Sequence, residues 1–294
     1  MDPIKLLQMS EDELVELSHN AETLSFWAGA NEIKKVSDRI VVKIGMDIDE
    51  HEFANQRFAQ LNCVPESVII PRAYLFFERN NLGYLFMEYI KGRTLEQVFS
   101  EESERKPELI DRVRTAVRSI HAVKRDHPGS IAGRTVYGYP WGNDWNFVAS
   151  WNQLIKDMNK RLAIRNTSIT FEDQTCVLCH MDVKSHNIIE TESGQLCLLD
   201  WRNAAFYPEC FEWAALEFSN MTDLDDVHAG LDLGDDEKEL IKKLHIVQRY
   251  SISRHLSVTA VLRCFPASNR SVAAGRRPRL SIVSVRRMCS SHST

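Results

Sequence analysis

No apolar run in the 294-residue chain approaches the roughly 18 residues that a membrane-spanning helix needs. The opening Met1-Asp-Pro-Ile-Lys lacks the charged-then-apolar build of an export signal. Seven cysteines, an odd number, are scattered along a chain with no such signal, so reduced thiols in the cytosol are the expectation. A glycine-rich phosphate loop is missing too: no Gly-x-Gly-x-x-Gly precedes Lys43, and Gly29 stands by itself. Acidic residues disappear from residues 261–294, which carry seven Arg and no Lys, so residues 1–260 hold a net −12 within a total of −5. An acidic body argues against nucleic acid, whose phosphates need clustered Lys and Arg. It suits a cationic ligand, and it also serves solubility.

What is present centres on Cys179 to Trp201. Asn187 to Glu190 and Gln195 to Leu199 are short apolar runs, and Thr191-Glu-Ser-Gly194 between them has turn chemistry, so the stretch reads as a hairpin. A turn centred between Ser193 and Gly194 pairs positions summing to 387 and sets Asn187 opposite Asp200. Opposed Cβ atoms lie about 4.5–5.5 Å apart. An amide oxygen and a carboxylate that close suit Mg²⁺, which takes oxygen ligands and keeps phosphate oxygens as partners. Asp182 stands five residues before Asn187, in the loop entering the hairpin. Phosphoryl transfer uses one carboxylate for the acceptor hydroxyl and an Asn–Asp pair for the metal on the phosphates.

His180-Met-Asp182-Val-Lys-Ser-His-Asn187 resembles the catalytic loop of the aminoglycoside phosphotransferase and choline kinase family. Leu198-Leu-Asp200-Trp201, with Ala204-Ala-Phe-Tyr-Pro208, resembles that family's metal-binding segment. The likeness extends more weakly over roughly residues 28 to 255. It implies an α+β, two-lobed, protein-kinase-like fold with a β-rich first lobe (1–90), a mainly helical second lobe (91–262) and an Arg/Ser-rich tail (263–294). It also implies that ATP donates its γ-phosphoryl group to a hydroxyl of a small molecule, with Asp182 as base and Asn187 and Asp200 on Mg²⁺. No membrane and no nucleic acid enter this reading. Two others are open at this point. One is a degenerate nucleotide-binding or structural pseudokinase, because the glycine-rich loop is missing. The other is a protein Ser/Thr kinase, because Lys184 follows Asp182 by two residues. Against the latter, Asp200 is followed by Trp-Arg rather than Phe-Gly, and Tyr207-Pro-Glu209 leaves little room for an activation loop.

The remaining elements take positions around this centre. Ser10-Glu-Asp-Glu13 is a capping box opening a helix with Leu14 and Leu17 on one face. Residues 31–43 read as a hairpin turning at Ser37-Asp38, with Lys43 on a β-branched strand. Asp49-Glu-His-Glu52 caps a helix expected to bury Phe53, Phe58 and Leu61. The resemblance makes Lys43 the phosphate-binding lysine, Glu52 its ion-pair partner and Glu50 the runner-up. Ala73 to Glu78 and Tyr84 to Ile90 are strands around Asn80-Asn-Leu-Gly83. By the same resemblance, adenine bonds to backbone groups around Glu88, Tyr89 and Ile90. Thr94-Leu-Glu-Gln97 is a second capping box.

Pro107 to Val123 has helical spacing at Ile110, Val113, Val117 and Ile120, with His121 expected to be a satisfied structural histidine. Tyr137, Tyr139, Trp141, Trp145, Phe147 and Trp151 suit either the packing of a long loop or a cation–π box, and packing is the simpler reading. Cys176-Val-Leu-Cys179-His180 matches the haem-attachment pattern, but such attachment goes with exported chains and Thr175 to Cys179 reads as a strand. Leu154 to Leu162, Phe211 to Glu217 and Asp235 to Tyr250 read as helices, with Glu209, Glu212 and Glu217 as solvated charges near an acceptor cleft. Residues 263–294 show no periodicity and read as disordered. Deleting them is expected to leave the melting temperature and nucleotide binding unchanged. A truncated chain that is insoluble or melts well below the full one would mean that the tail packs on the body.

Overall fold

The computed structural model describes residues 1–26, 31–133, 135–171, 175–218, 224, 227, 231 and 233–263. Gly29 and most of the Arg/Ser-rich tail lie outside the described residues. Met1–His255 form one compact unit and Leu256–Thr294 a second. Among the described residues no helix is long and apolar enough to cross a membrane.

A short α1 (Pro3–Leu6) and α2 (Glu11–His19) open the chain, the latter with the Ser10–Glu13 capping box made in both directions. Leu6 and Leu14 pack on Ile40, Val42, Phe77 and Phe86. Five antiparallel strands follow in the order β1-β2-β3-β5-β4, where β1 is Glu22–Phe26, β2 Glu32–Ser37 and β3 Ile40–Gly45. Ser37 pairs with Ile40, so the β2–β3 turn is Asp38-Arg39, one residue later than expected. Strand β3 lies inside the sheet and is buried along its whole length, which explains its unbroken Ile-Val-Val-Lys-Ile run.

Helix α3 (Glu50–Asn62) crosses next, its first turn closed by Asp49 accepting from the His51 and Glu52 N–H groups. Its buried face is Glu52, Asn55, Gln56 and Ala59, whereas Leu61 is exposed and Phe53 and Phe58 are only partly covered. The expected apolar face is therefore corrected. This helix meets polar backbone through its buried amides, while Ala59, Phe58 and Phe53 touch the apolar core. Asn55 Nδ2 lies 3.0–3.2 Å from the carbonyl oxygens of Trp201, Arg202 and Ala204. Gln56 Nε2 donates to Pro71 O at 2.7 Å. Strands β4 (Ala73–Arg79) and β5 (Leu82–Glu88) meet at Asn80-Asn81, both left-handed, as a two-residue hairpin turn of the type I′ class requires.

β6 (Gly92–Thr94) leads into the helical lobe, and α4 (Leu95–Glu101) starts on the expected Thr94–Gln97 capping box. α5 (Lys106–Ile120) buries Ile110, Val113, Val117 and Ile120. After the short strands β7 (Lys124–Arg125), β8 (Gly129–Ser130), β9 (Val136–Gly138) and β10 (Gly142–Asn146), α6 (Trp151–Leu162) adds Leu154, Met158 and Leu162 to the same core. The aromatic loop is packed rather than open. Trp141 Nε1 donates to the Tyr207 hydroxyl at 2.9 Å and Trp151 Nε1 to Asp126 O at 2.8 Å. Phe147 is exposed, and the Trp145 side chain lies outside the described set.

β11 (Cys176–Cys179) is buried throughout and runs between β7 and the later β14. Its two thiols are free and buried, as are those of Cys63, Cys197 and Cys210. β12 (Ile188–Thr191) pairs with β6 on one side and β13 (Leu196–Leu198) on the other, followed by β14 (Ala205–Tyr207), α7 (Cys210–Phe218) and α8 (Asp235–Arg263).

Asn55 is the side chain that ties α3 to the segment after β13. Asn55→Ala removes the donor from buried carbonyls and is expected to lower stability by about 1–3 kcal/mol. The check is the urea midpoint at unchanged m-value; a wild-type midpoint would mean that water replaces the amide without loss.

Candidate functional site

The chain leaves β11 at His180-Met181, and Met181 adopts a left-handed φ of 66° that an unbranched side chain tolerates only at a cost. Glu212 of α7 holds this bend. Its carboxylate is fully buried and accepts from the N–H groups of both His180 and Met181, the latter at 2.9 Å. The His180 ring then locks the loop sideways. Nε2–H donates to Leu199 O at 2.8 Å, Nδ1 accepts from the Asp182 N–H at 3.3 Å, and the ring meets Trp201 edge-on at 4.7 Å. Glu212 was expected to be a solvated helix charge, and that expectation is corrected. The clue was composition: a lone carboxylate between Phe211 and Trp213 in a strongly apolar helix has to face something polar inside.

The hairpin register is also corrected. Ile188 pairs with Leu198 and Glu190 with Leu196, so opposed positions sum to 386 rather than 387. Three residues, Glu192 to Gly194, make the turn, with Gly194 at φ 82° and the Thr191 N–H donating to Gln195 O at 2.9 Å. A type I turn closed by a left-handed glycine produces this odd-numbered loop. Asn187 therefore opposes Leu199, whose N–H donates to Asn187 O at 2.8 Å, and Asp200 comes one residue later. Asp200 is itself left-handed, at φ 61°, and its side chain turns toward Lys43. Asn187 Nδ2 donates to Asp182 O at 3.0 Å and to Asp182 Oδ2 at 3.2 Å. Lys184 Nζ sits 2.5 Å from the other Asp182 oxygen. Arg105 and Arg112 both grip Glu190, which pins the hairpin to the start of α5.

Lys43 is buried and its ammonium joins three segments, 2.6 Å from Glu52 Oε1 and 3.3 Å from Asp200 Oδ1. Glu50, the alternative partner, is exposed. Burial works against the charge on Lys43, but the Glu52 and Asp200 carboxylates outweigh it and hold the pKa above the usual lysine value. For Glu52, burial dominates and, with Asp200 alongside, pushes the carboxyl up to about 7 against the pull of Lys43. Asp200 goes the other way: burial opposes ionisation, yet Lys43 keeps its carboxyl below the usual range. Glu52 Oε2 has no hydrogen-bond partner among the described residues.

At the junction of the lobes, the Glu88 N–H donates to Arg72 O at 2.9 Å and the Tyr89 N–H to Arg39 O at 3.0 Å. Of the three expected hinge residues, Ile90 is the one whose N–H has no protein acceptor among the described residues. Other expected residues stand elsewhere. Glu217 pairs with His245 at 3.4 Å, and Glu209 accepts from Trp213 Nε1 at 3.1 Å. His121 is buried as expected, and in place of regular hydrogen bonds its ring nitrogens lie 3.4 Å from Glu209 and 3.8 Å from Glu212.

No curated protein matches the chain by sequence. Among solved structures, it is similar to a thermostable mutant of aminoglycoside phosphotransferase APH(4)-Ia in ternary complex with ADP and hygromycin B. The TM-score is 0.57 at 14% identity, covering 86% of this chain and 92% of that one. The GDP complex of aminoglycoside 2'-phosphotransferase-IIIa gives a TM-score of 0.53 at 13% identity, covering 90% and 94%. At such identities the likeness establishes the fold, which is two-lobed and protein-kinase-like. Residues 21–228 match the family described as Choline/ethanolamine kinase. That span takes in the sheet, α3, the loop after β11, the hairpin and α7, and the chain belongs to the choline/ethanolamine kinase family.

Proposed function

We propose that this chain transfers the γ-phosphoryl group of ATP to the hydroxyl of a small amino alcohol of the choline or ethanolamine class. The observation that carries the reading is the meeting of distant segments in one cluster. Lys43 from β3, Glu52 from α3 and Asp200 from the end of the hairpin share one ammonium, while Asn187 joins that hairpin to Asp182. Lys43, steadied by Glu52, directs its charge at the α- and β-phosphates. The backbone of Glu88, Tyr89 and Ile90 frames the adenine, with the Ile90 N–H, which has no protein acceptor among the described residues, as its donor. Asp182 accepts the proton of the acceptor hydroxyl, as a positioned base. Lys184 sets a positive charge beside it.

The donors offered to a cation are oxygens, which suits Mg²⁺. The Asn187 amide nitrogen is taken by Asp182, leaving its oxygen for the ion, and Asp200 is held ionised by Lys43. Mg²⁺, when bound, offsets the charge on the β- and γ-phosphates. A net −12 on residues 1–260 favours a cationic acceptor over an anionic one. Five buried free thiols are in keeping with a reducing, cytosolic setting.

Three outcomes test the reading. Mg²⁺·ATP at 100 times its dissociation constant is expected to stabilise the protein by about 2.7 kcal/mol, seen as a thermal shift of several degrees. No shift at millimolar Mg²⁺·ATP would leave a structural pseudokinase. ATP turnover is expected with amino alcohols and not with Ser/Thr peptides; the reverse would make the chain a protein kinase. The two aspartates are expected to separate by calorimetry. Asp200→Asn weakens Mg²⁺·ATP binding itself, whereas Asp182→Asn leaves binding nearly unchanged and lowers turnover about 10²–10⁴-fold. If Asp182→Asn abolishes binding and Asp200→Asn does not, the roles are reversed.

A further inference from the structure

Three chemically unlike side chains converge at the base of the loop after β11. A ring nitrogen of His121 at the end of α5, Sγ of Cys179 at the end of β11 and a carboxylate oxygen of Glu212 on α7 lie within 4.8 Å of one another. Cys179 and Glu212 are fully buried and His121 is 5% exposed. Ligands about 2.0–2.1 Å from a tetrahedral ion sit about 3.4 Å apart, and the 3.8 Å between His121 Nε2 and Glu212 Oε2 is close to that spacing. We propose that His121 Nε2, Cys179 Sγ and the Glu212 carboxylate bind one divalent transition-metal ion of the Zn²⁺ type.

Four observations support the site. His121 makes no regular hydrogen bond at either ring nitrogen among the described residues, only ion-pair contacts with Glu209 and Glu212. Its Nδ1 faces Glu209 Oε1 at 3.4 Å, and metal-bound histidines regularly point their other nitrogen at a carboxylate. Cys179 has only weak sulfur contacts, 3.6 Å to Val177 O and 3.9 Å to Tyr207 O, so its thiol is available. Glu212 gives one lone pair on each oxygen to the His180 and Met181 N–H groups and keeps others, and no Lys or Arg partners it among the described residues. Mixed nitrogen, sulfur and oxygen donors suit Zn²⁺ rather than Mg²⁺. A cavity of about 900 Å³, walled in part by His121, Thr175, Glu209 and Lys243, reaches the His121 side of the cluster. On ligation the thiol proton leaves to solvent. The ion would hold Glu212, and through it the two N–H groups that set the loop, so its role is to position rather than to react.

The test uses the full chain, stripped by chelation and titrated with Co²⁺ in the absence of nucleotide. One ion per chain and a thiolate-to-cobalt charge-transfer band are expected, both displaced by Zn²⁺. Cys179→Ser should abolish the band, His121→Gln should weaken binding at least about 100-fold, and Glu209→Gln should weaken it about 10–100-fold with the band retained. Cys63→Ser should change nothing. X-ray absorption of the Co²⁺-loaded wild type, with one sulfur neighbour at about 2.3 Å, decides the same point if a variant fails to fold. No band and no sulfur neighbour, or a band that survives Cys179→Ser, overturns the proposal and leaves His121 as the counter-charge of Glu212. Because neither ATP nor an acceptor is used, this outcome is independent of the kinase reading.

Discussion

A single buried ammonium, that of Lys43, stands between carboxylates supplied by two distant stretches of chain, Glu52 on α3 and Asp200 after β13. Removing one partner of a buried pair costs about 3–5 kcal/mol, because the remaining charge is left in a medium that solvates it poorly. Here the arrangement is less balanced than a simple pair, since two carboxylates share one cation. Asp200, nearer the outside, wins the competition and stays ionised, while the deeper Glu52 is pushed up to about 7. The cluster therefore joins the sheet lobe to the helical lobe at the cost of an imperfectly satisfied Glu52, whose second oxygen makes no hydrogen bond among the described residues.

A second constraint acts on the backbone. Five non-glycine residues have positive φ among the described residues, and three are asparagines, which tolerate that region. The other two are Met181, which is unsuited to it, and Asp200, whose short polar side chain tolerates it, and they bracket the hairpin. Each strained conformation costs on the order of 1–3 kcal/mol and persists only where neighbours over-determine it. For Met181 the neighbour is Glu212, accepting the two N–H groups at the bend. For Asp200 it is Lys43 on one side and, on the next residues, Asn55 binding the carbonyls of Trp201, Arg202 and Ala204.

Helix α3 illustrates the same economy. Three of its four buried residues are polar, and each has a polar partner: Glu52 reaches Lys43, Asn55 the segment after β13, and Gln56 the chain before β4. Periodicity marks which face of a helix is apolar, and it fails when the inward face is a hydrogen-bonding one.

Local chemistry alone determined much of this protein. The capping boxes at Ser10 and Thr94, the Asn80-Asn81 turn, the buried β3 run and the periodic face of α5 depend on neighbouring residues and steric preferences, so they are legible in a single chain. The spacing of Asp182, Asn187 and Asp200 was legible for the same reason, being set within one loop and hairpin. Tertiary structure decided the rest. A one-residue change in turn length moved the partner of Asn187 from Asp200 to Leu199, because register follows turn geometry that several loop types satisfy. Glu212 became the clamp beneath the loop, and His121 its neighbour, only because α7 and α5 meet β11 there. Long-range burial converts an ordinary charge into a structural one, and no local pattern records which charges will be buried.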